Sequence, residues 1–318
     1  MALNIGFVVI CMKSGRAKVS FIILTKNSMK TLPECMMSIK SQSVTKEIIV
    51  IDGGSTDGTW EYAKTHADEG IPDCDNLAMA RNNGIFNAKG EYIAFVDSDV
   101  VLPRGWAINM LKLYEMYLKR ADNVASVSCE FISIPRNKVT EATDKARRLQ
   151  FSGTVLSKSG YLQSSIWKAD FLKTIRANEE YATGGEDLDL FQKAVERGYT
   201  HLVTDQFNVK HYSPSRLSVL LKKYFRYGQI HWKIPSQKSS WNTYKHWYWP
   251  FTLLSWFFSP LIGGLPFWLI FLSPFIVYTW KLFSDVGEVQ PSFTLINGLK
   301  FQAHSAGMLV GAGKDLLR

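Results

Sequence analysis

The chain is predicted to fold as an α/β protein, with a mostly parallel sheet and helices on both of its faces. Three observations predict it. Residues 19–24, 47–51 and 92–96 are short, apolar, β-branched runs, the pattern of strands buried on both faces. A helix-like stretch follows each run, the alternation expected of parallel βαβ units. Each run also hands over to polar residues at its C-terminal end, and in open α/β sheets the ligand lies beyond those ends. The polar successors are Thr25-Lys26-Asn27, Asp52-Gly53-Gly54-Ser55 and Asp97-Ser98-Asp99.

The elements follow in order. After the first run, 29–42 reads as a helix with Leu32, Met36 and Ile39 on one face and Pro33 in its first turn. After the second, Ser55, Thr56 and Asp57 are suited to cap a helix carrying Trp60, Tyr62 and Ala63. A further helix is predicted over 77–88, closed by Lys89-Gly90. The third run ends at Asp97, and Pro103 opens a long helix to about Lys119. Beyond an apolar run at 124–128, residues 136–160 are polar and read as loop-rich. Helical periodicity returns at 186–197, and short strands are expected at 201–204 and 207–210. Pro214 then opens a basic amphipathic segment. Leu217, Leu220, Leu221, Tyr224 and Phe225 lie on one face of it, with Arg216, Lys222, Lys223 and Arg226 on the other.

The formal charge of +9 is concentrated in one place. Between Gln206 and Ser284 there are nine Lys and Arg and no Asp or Glu. Such a block, rich in Trp and Tyr, suits either nucleic acid or an anionic membrane. The neighbouring residues 246–280 contain no Lys, Arg, Asp or Glu. A bilayer span needs about 20 apolar residues with basic and aromatic flanks. The membrane is therefore the expected partner, and nucleic acid is not. Gly263-Gly264-Leu265-Pro266 divides the uncharged stretch and suggests a helical hairpin, spanning or re-entrant. The four cysteines have no metal-site spacing and read as buried thiols of a reducing compartment. The expected organisation is a leader at 1–18, a catalytic domain at 19–212, an interfacial segment at 213–246, the hairpin at 247–283, and a membrane-associated tail at 284–318.

Two constellations carry chemistry. In extended chain Asp97 and Asp99, at i and i+2, point to one side. Hard oxygen ligands at a strand end suit Mg²⁺ or Mn²⁺, which also holds substrate phosphates. Glu186-Asp187 opens a helix after Thr183-Gly184-Gly185. There a carboxylate serves as a helix cap, or, over a cleft, as a base for an incoming hydroxyl.

Six motifs in order resemble those of the family 2 glycosyltransferases, which have the GT-A nucleotide-diphospho-sugar transferase fold. They are Thr25-Lys26-Asn27, Asp52-Gly53-Gly54-Ser55-Thr56-Asp57-Gly58-Thr59, Ala80-Arg81-Asn82-Asn83-Gly84-Ile85, Ala88-Lys89-Gly90-Glu91-Tyr92, Asp97-Ser98-Asp99 and Gly185-Glu186-Asp187-Leu188-Asp189-Leu190. The resemblance covers about two thirds of the chain. It implies that Thr25, Asn27, Asp52, Ser55 and Arg81 lie at the nucleotide of a sugar-diphosphate donor of UDP or GDP type. It implies that Asp97 and Asp99 hold donor and metal, with His211 completing the metal site, and that Asp187 is the base of an inverting transfer. Many members carry two acidic residues where this chain has Asp52-Gly53, which leaves the nucleotide open. Membrane anchoring and the Glu186-Asp187 pair favour a hydroxyl of a polyprenyl- or dolichyl-linked glycan as acceptor, at the cytoplasmic side of the cell membrane. The alternatives are a polyprenyl-phosphate sugar synthase, whose acceptor is already ionised, and a non-catalytic membrane adaptor. Processive synthases of the family carry Q-x-x-R-W, and Gln229-Ile230-His231-Trp232 lacks the Arg.

Overall fold

The computed structural model describes residues 18–72, 76–120, 123–148 and 153–233, together with scattered helical positions between 296 and 314. The first half follows the alternation in the sequence. Strands β1 (Val19–Thr25), β2 (Lys46–Asp52), β3 (Glu69–Pro72) and β4 (Tyr92–Val96) pair in parallel in the order β3-β2-β1-β4. Helix α1 (Leu32–Lys40) follows β1, α2 (Thr59–His66) follows β2, and α3 (Leu77–Asn87) leads into β4.

The period-2 geometry of strands explains why these runs are apolar throughout. Phe21, Ile23, Ile48, Val50, Ala94 and Val96 face one core with Leu32, Met36 and Ile39 of α1. Their alternates Ile22, Ile49, Ile51, Ile93 and Phe95 face a second core with Ala78 and Ile85 of α3. Helix α4 (Trp106–Leu118) closes the first core with Trp106, Met110 and Tyr114.

The second half departs from a mostly parallel sheet. It contains β5 (Val100–Val101), β6 (Val124–Ile134), β7 (Thr154–Ser157), β8 (Ser164–Lys168) and β9 (Thr200–Tyr212). Strand β8 enters antiparallel between β4 and β6, and β5 and β7 pair antiparallel with β9. Among the described residues of this half only β6 and β9 pair in parallel, so the sheet is mixed. The helices here are α5 (Lys138–Arg148), α6 (Ala169–Leu172), α7 (Glu186–Glu196) and α8 (Leu217–Lys233). Alpha-helices α6 and α7 cover the second core with Leu172, Leu190 and Phe191.

Three local expectations need correction. The polar stretch 136–160 is not loop-rich: it holds α5 and β7. Its polarity is partly internal, because buried Asp144 accepts hydrogen bonds from the Ser133 amide at 3.0 Å and hydroxyl at 2.6 Å. The two strands expected at 201–204 and 207–210 are one strand, β9. It is kinked at Phe207 (φ 59°) beside a register shift opposite Cys129 and Phe131. Asp97 and Asp99 do not lie in extended chain. They occupy a turn closed by Val100 N donating to Asp97 O at 3.0 Å and Tyr212 N donating to Asp99 O at 2.9 Å.

The segments expected at the membrane are described only in part. No helix among the described residues is long and apolar enough to cross a membrane. The hairpin expected at 247–283 lies outside the described residues, as does the leader apart from Lys18. The amphipathic segment does form a helix, α8. Part of its apolar face is taken up by protein, with Leu217, Leu220 and Tyr224 packed with Ala142 of α5 and Ile296 of the tail. The described positions of the tail thus sit against the catalytic domain, with Ile296 and Met308 buried.

Candidate functional site

Beyond the carboxyl end of β4 lies a cavity of about 760 Å³. Of the nine residues predicted to form the site, Arg81, Asp97, Asp99, Asp187 and His211 line it. They come from α3, the turn after β4, the first turn of α7 and the end of β9. The register of the sheet brings two of them together. Beta-strand β5 begins directly after Asp99 and pairs Val100 with His211, placing His211 Nε2 3.5 Å from Asp99 Oδ2. The other histidine nitrogen, Nδ1, shares a 2.6 Å hydrogen bond with Ser213 Oγ.

Helix α7 begins at Gly185, whose φ of 98° is a left-handed conformation that glycine adopts at no steric cost. That turn delivers two acids to the cavity in different settings. Glu186 is buried, 6% exposed at its side chain, and its Oε1 lies 3.5 Å from Arg81 Nε. Asp187 is half-buried, and its Oδ1 accepts a 2.8 Å bond from the Leu188 amide. Asp189 turns away to structural work: its Oδ2 receives the Asn178 amide and Lys193 Nζ, both at 2.8 Å.

Arg81 is the hinge of the electrostatics. Its guanidinium reaches Asp97 Oδ1 at 3.3 Å as well as Glu186, and stands 5.1 Å from the Phe95 ring centroid. Burial acts to lower its pKa, but the carboxylates of Asp97 and Glu186 outweigh that and hold it above the ordinary value. Around it the acids are pushed up. Burial, more than the pull of Arg81 and the push of Asp187, raises Glu186 to about 7. Burial and the neighbouring Asp97 raise Asp99 to about 7, against the opposing charge of Lys223. Asp187 is also raised by burial, restrained by the Leu188 amide and by Arg81. The site is therefore a cluster of reluctant carboxylates around one buried cation, an arrangement that favours binding further positive charge.

The remaining four predicted residues build the neighbouring turn and do not line this cavity. Asp52 is 3% exposed. Its carboxylate accepts the amides of Gly54 at 3.1 Å and Ser55 at 2.8 Å, and the Ser55 hydroxyl at 2.5 Å. Ser55 Oγ in turn accepts the Asn27 amide at 2.8 Å, and Asn27 Oδ1 accepts the Thr56 amide at 2.9 Å. Thr25, paired in register with Asp52, has a buried hydroxyl with no hydrogen-bond partner. These contacts lock the ends of β1 and β2 together beside Leu24, which does line the cavity.

The cavity also takes residues outside those predicted. Lys223, Arg226 and Tyr227 line it from α8, and Asn297 and Lys300 from the tail. The basic face of α8 is legible as charge, but its neighbour in the tail is not. Lys300, about 70 residues along the chain, carries no local signal.

The fit to a metal ion can be tested on the residues present. Asp97 and Asp99 crowd one turn, and His211 Nε2 lies beside Asp99, so hard oxygen and imidazole ligands meet at one point. Among the described residues no three His, Cys, Asp or Glu stand as a preformed cluster. The donor set fits a divalent cation, which Asp97, Asp99 and His211 would hold.

Residues 20–158 match the model of the family described as Glycosyl transferase family 2. The glycosyltransferase AglE of Haloferax volcanii is 24% identical over 227 residues, 66% of this chain and 72% of that protein. The UDP-Glc:alpha-D-GlcNAc-diphosphoundecaprenol beta-1,3-glucosyltransferase WfaP of Escherichia coli is 40% identical over 87 residues, 26% of this chain and 35% of that protein. Among solved structures, the mannosyltransferase PcManGT from Pyrobaculum calidifontis, in complex with GDP-Man and Mn²⁺, superposes with a TM-score of 0.61. The match is 20% identical, covers 95% of this chain and 88% of that one, and is a likeness of fold.

Proposed function

We propose that this glycosyltransferase, whose residues 20–158 match the family 2 model, carries out an inverting transfer from a nucleotide-diphosphate sugar to a hydroxyl of a membrane glycan. The observation that carries it is the shared cavity, lined together by Asp97, Asp99, His211 and Asp187 with Arg81 among them. In this proposal the turn of Asp97 and Asp99 serves the diphosphate, and the helix start at Asp187 serves the incoming acceptor.

The roles follow from the setting of each acid. Glu186 faces Arg81 and is nearly sealed, so it positions the guanidinium. Asp187 is more open, and the amides at the start of α7 favour its ionised form. It takes the proton from the acceptor hydroxyl as that oxygen bonds to the anomeric carbon and the bond to the diphosphate breaks. Arg81 holds Asp97 in place at 3.3 Å. Asp97, Asp99 and His211 would hold Mg²⁺ or Mn²⁺, whose charge neutralises the departing diphosphate. The turn built by Asn27, Asp52 and Ser55 is assigned to the nucleoside side, next to Leu24 of the cavity wall.

Support for the acceptor comes from WfaP, whose name specifies a diphosphoundecaprenol-linked sugar, and from the basic block beside the uncharged stretch 246–280. A cytoplasmic-face membrane location belongs to the same proposal. The test is a screen of UDP- and GDP-sugars with Mn²⁺ or Mg²⁺, against polyprenyl phosphate and polyprenyl-diphosphate-linked sugar as acceptors. The proposal expects a glycosidic product of inverted anomeric configuration on the sugar-bearing lipid. Sugar delivered only to polyprenyl phosphate, or a retained anomer, would overturn it.

A further inference from the structure

A hydrogen-bonded relay runs from Asp144 of α5 to His211, and the reaction above leaves it without a role. Ser133 Oγ donates to Asp144 Oδ1 at 2.6 Å. The Ser133 and Ser213 hydroxyl oxygens stand 2.7 Å apart, and Ser213 Oγ lies 2.6 Å from His211 Nδ1. The other ring nitrogen, Nε2, faces Asp99 Oδ2 at 3.5 Å. The inner links are sealed, since Asp144 and Ser133 are both buried.

Sheet register builds this relay. Strands β6 and β9 run parallel, with Ser133 paired to His211 and Ile134 to Tyr212. Ser213 N continues the ladder by donating to Ile134 O at 3.1 Å. Residues at i and i+2 of extended chain share a face, so Ser213 and His211 project to the same side. Helix α5 brings Asp144 against the same strand, where its Oδ2 also accepts the Ser133 amide at 3.0 Å.

The direction of the relay follows from its protons. A carboxylate only accepts, and each hydroxyl has one proton to give. The Ser133 proton is committed to Asp144, so Ser133 Oγ accepts from Ser213. The Ser213 proton is then committed as well, so Ser213 Oγ accepts from His211 Nδ1–H. Nε2 is left as the nitrogen with a lone pair to offer, beside Asp99. Resting on the metal site of the transferase reading above, we infer that Asp144, Ser133 and Ser213 are positioning residues for that site. They keep the His211 proton on Nδ1 and present Nε2 to the cation. A ligating histidine anchored through its other nitrogen is fixed in both tautomer and ring orientation.

The experiment is ¹⁵N NMR of the metal-free full chain labelled at histidine, joined to calorimetric Mn²⁺ titration of the same variants. It is run at about pH 9, well above the ordinary imidazole value of about 6.5, and a His211→Gln spectrum assigns the signal. Wild type should carry the proton on Nδ1. Asp144→Asn keeps the shape of the side chain. Its oxygen can still accept the Ser133 amide, while its NH₂ donates to Ser133 Oγ. Both hydroxyl protons then reverse, Ser213 donates to Nδ1, and the imidazole proton moves to Nε2. Mn²⁺ affinity should fall about 10–100-fold, the usual cost of losing a partner behind a ligand. Ser213→Ala should weaken Mn²⁺ binding too, and Ser213→Thr, which keeps the hydroxyl, should restore it. A wild-type proton on Nε2 overturns the inference, as does an unmoved proton with wild-type Mn²⁺ affinity in Asp144→Asn. If Asp144→Asn is too unstable to measure, wild-type Mn²⁺ affinity in Ser213→Ala overturns it by itself. A shifted proton and weakened Mn²⁺ binding in a chain whose wild type transfers no sugar leave the relay standing and refute the reaction. An unmoved proton and unchanged affinity in an active enzyme do the reverse.

Discussion

Replacing Arg81 by Met removes the buried cation of the site while keeping a similar apolar stem. The pair with Glu186 sets the size of the effect, since both side chains are nearly sealed, at 7% and 6% exposure and 3.5 Å. At an effective dielectric of about 20, a charge pair at that distance is worth about 5 kcal/mol before desolvation. Breaking a buried pair by deleting one partner costs about 3–5 kcal/mol. Asp97, 38% exposed at its side chain, adds less because water screens it. The loss has a pH signature. Glu186 titrates at about 7 in the folded protein and near 4.3 when unfolded. The folded state therefore binds the extra proton, and stability falls as pH rises through that window. Without Arg81 the folded pKa moves higher still, so the fall continues above pH 7. Urea unfolding at pH 5, 6, 7 and 8 should show the variant close to wild type at pH 5 and separated by several kcal/mol at pH 8. A cost independent of pH, or below about 1 kcal/mol throughout, would refute a structural counter-ion role for Arg81.

Other outcomes follow from the same geometry. Asp99→Asn should abolish metal-supported turnover and weaken Mn²⁺ binding measured by titration, because it removes the proposed ligand at the turn beside His211. Wild-type Mn²⁺ affinity in that variant would exclude Asp99 as a ligand. Burial of His201 between Trp167 and Phe191 lowers its pKa to about 4, so the folded state resists the proton that the unfolded state accepts near 6.5. Its contribution is complete above about pH 6.5 and falls by about 3 kcal/mol as pH drops to 4. Glu186 and Asp99 act in the opposite direction, so the term is isolated by difference: His201→Gln should be less acid-sensitive than wild type. Equal acid sensitivity of the two proteins would contradict it.

Much of the first half was legible because its signals are local. The strands 19–24, 47–51 and 92–96 are apolar at every position, which only burial on both faces explains, and the structure places all three in the sheet. Asp97, Asp99 and Asp187 stand out in the sequence because they follow a buried strand or open a helix, and all three line the cavity. What stayed hidden depends on distant partners. Beta-strand β8 opens with Ser164 and Ser165, fully buried yet polar, and only its neighbours β4 and β6 make it a strand. Helix α5 reads as a loop because residues 136–160 are polar, while its Asp144 is buried and accepts the Ser133 amide. The hydrogen bonds by which Asp52 organises its own turn, to Gly54 and Ser55, are likewise visible only in the folded chain. The close backbone approach of Gly228 and Gly307 has no local signal, because it exists only once α8 is in place.

The central assignment is that Asp187 serves the acceptor and the turn of Asp97 and Asp99 serves the donor. It is tested most directly by Asp187→Asn, with donor binding and transfer measured on one preparation. Nucleotide-sugar affinity should stay within about threefold of wild type while transfer falls about 10²–10⁴-fold. Transfer at the wild-type rate, or loss of donor binding in parallel with turnover, would contradict that division of the cavity.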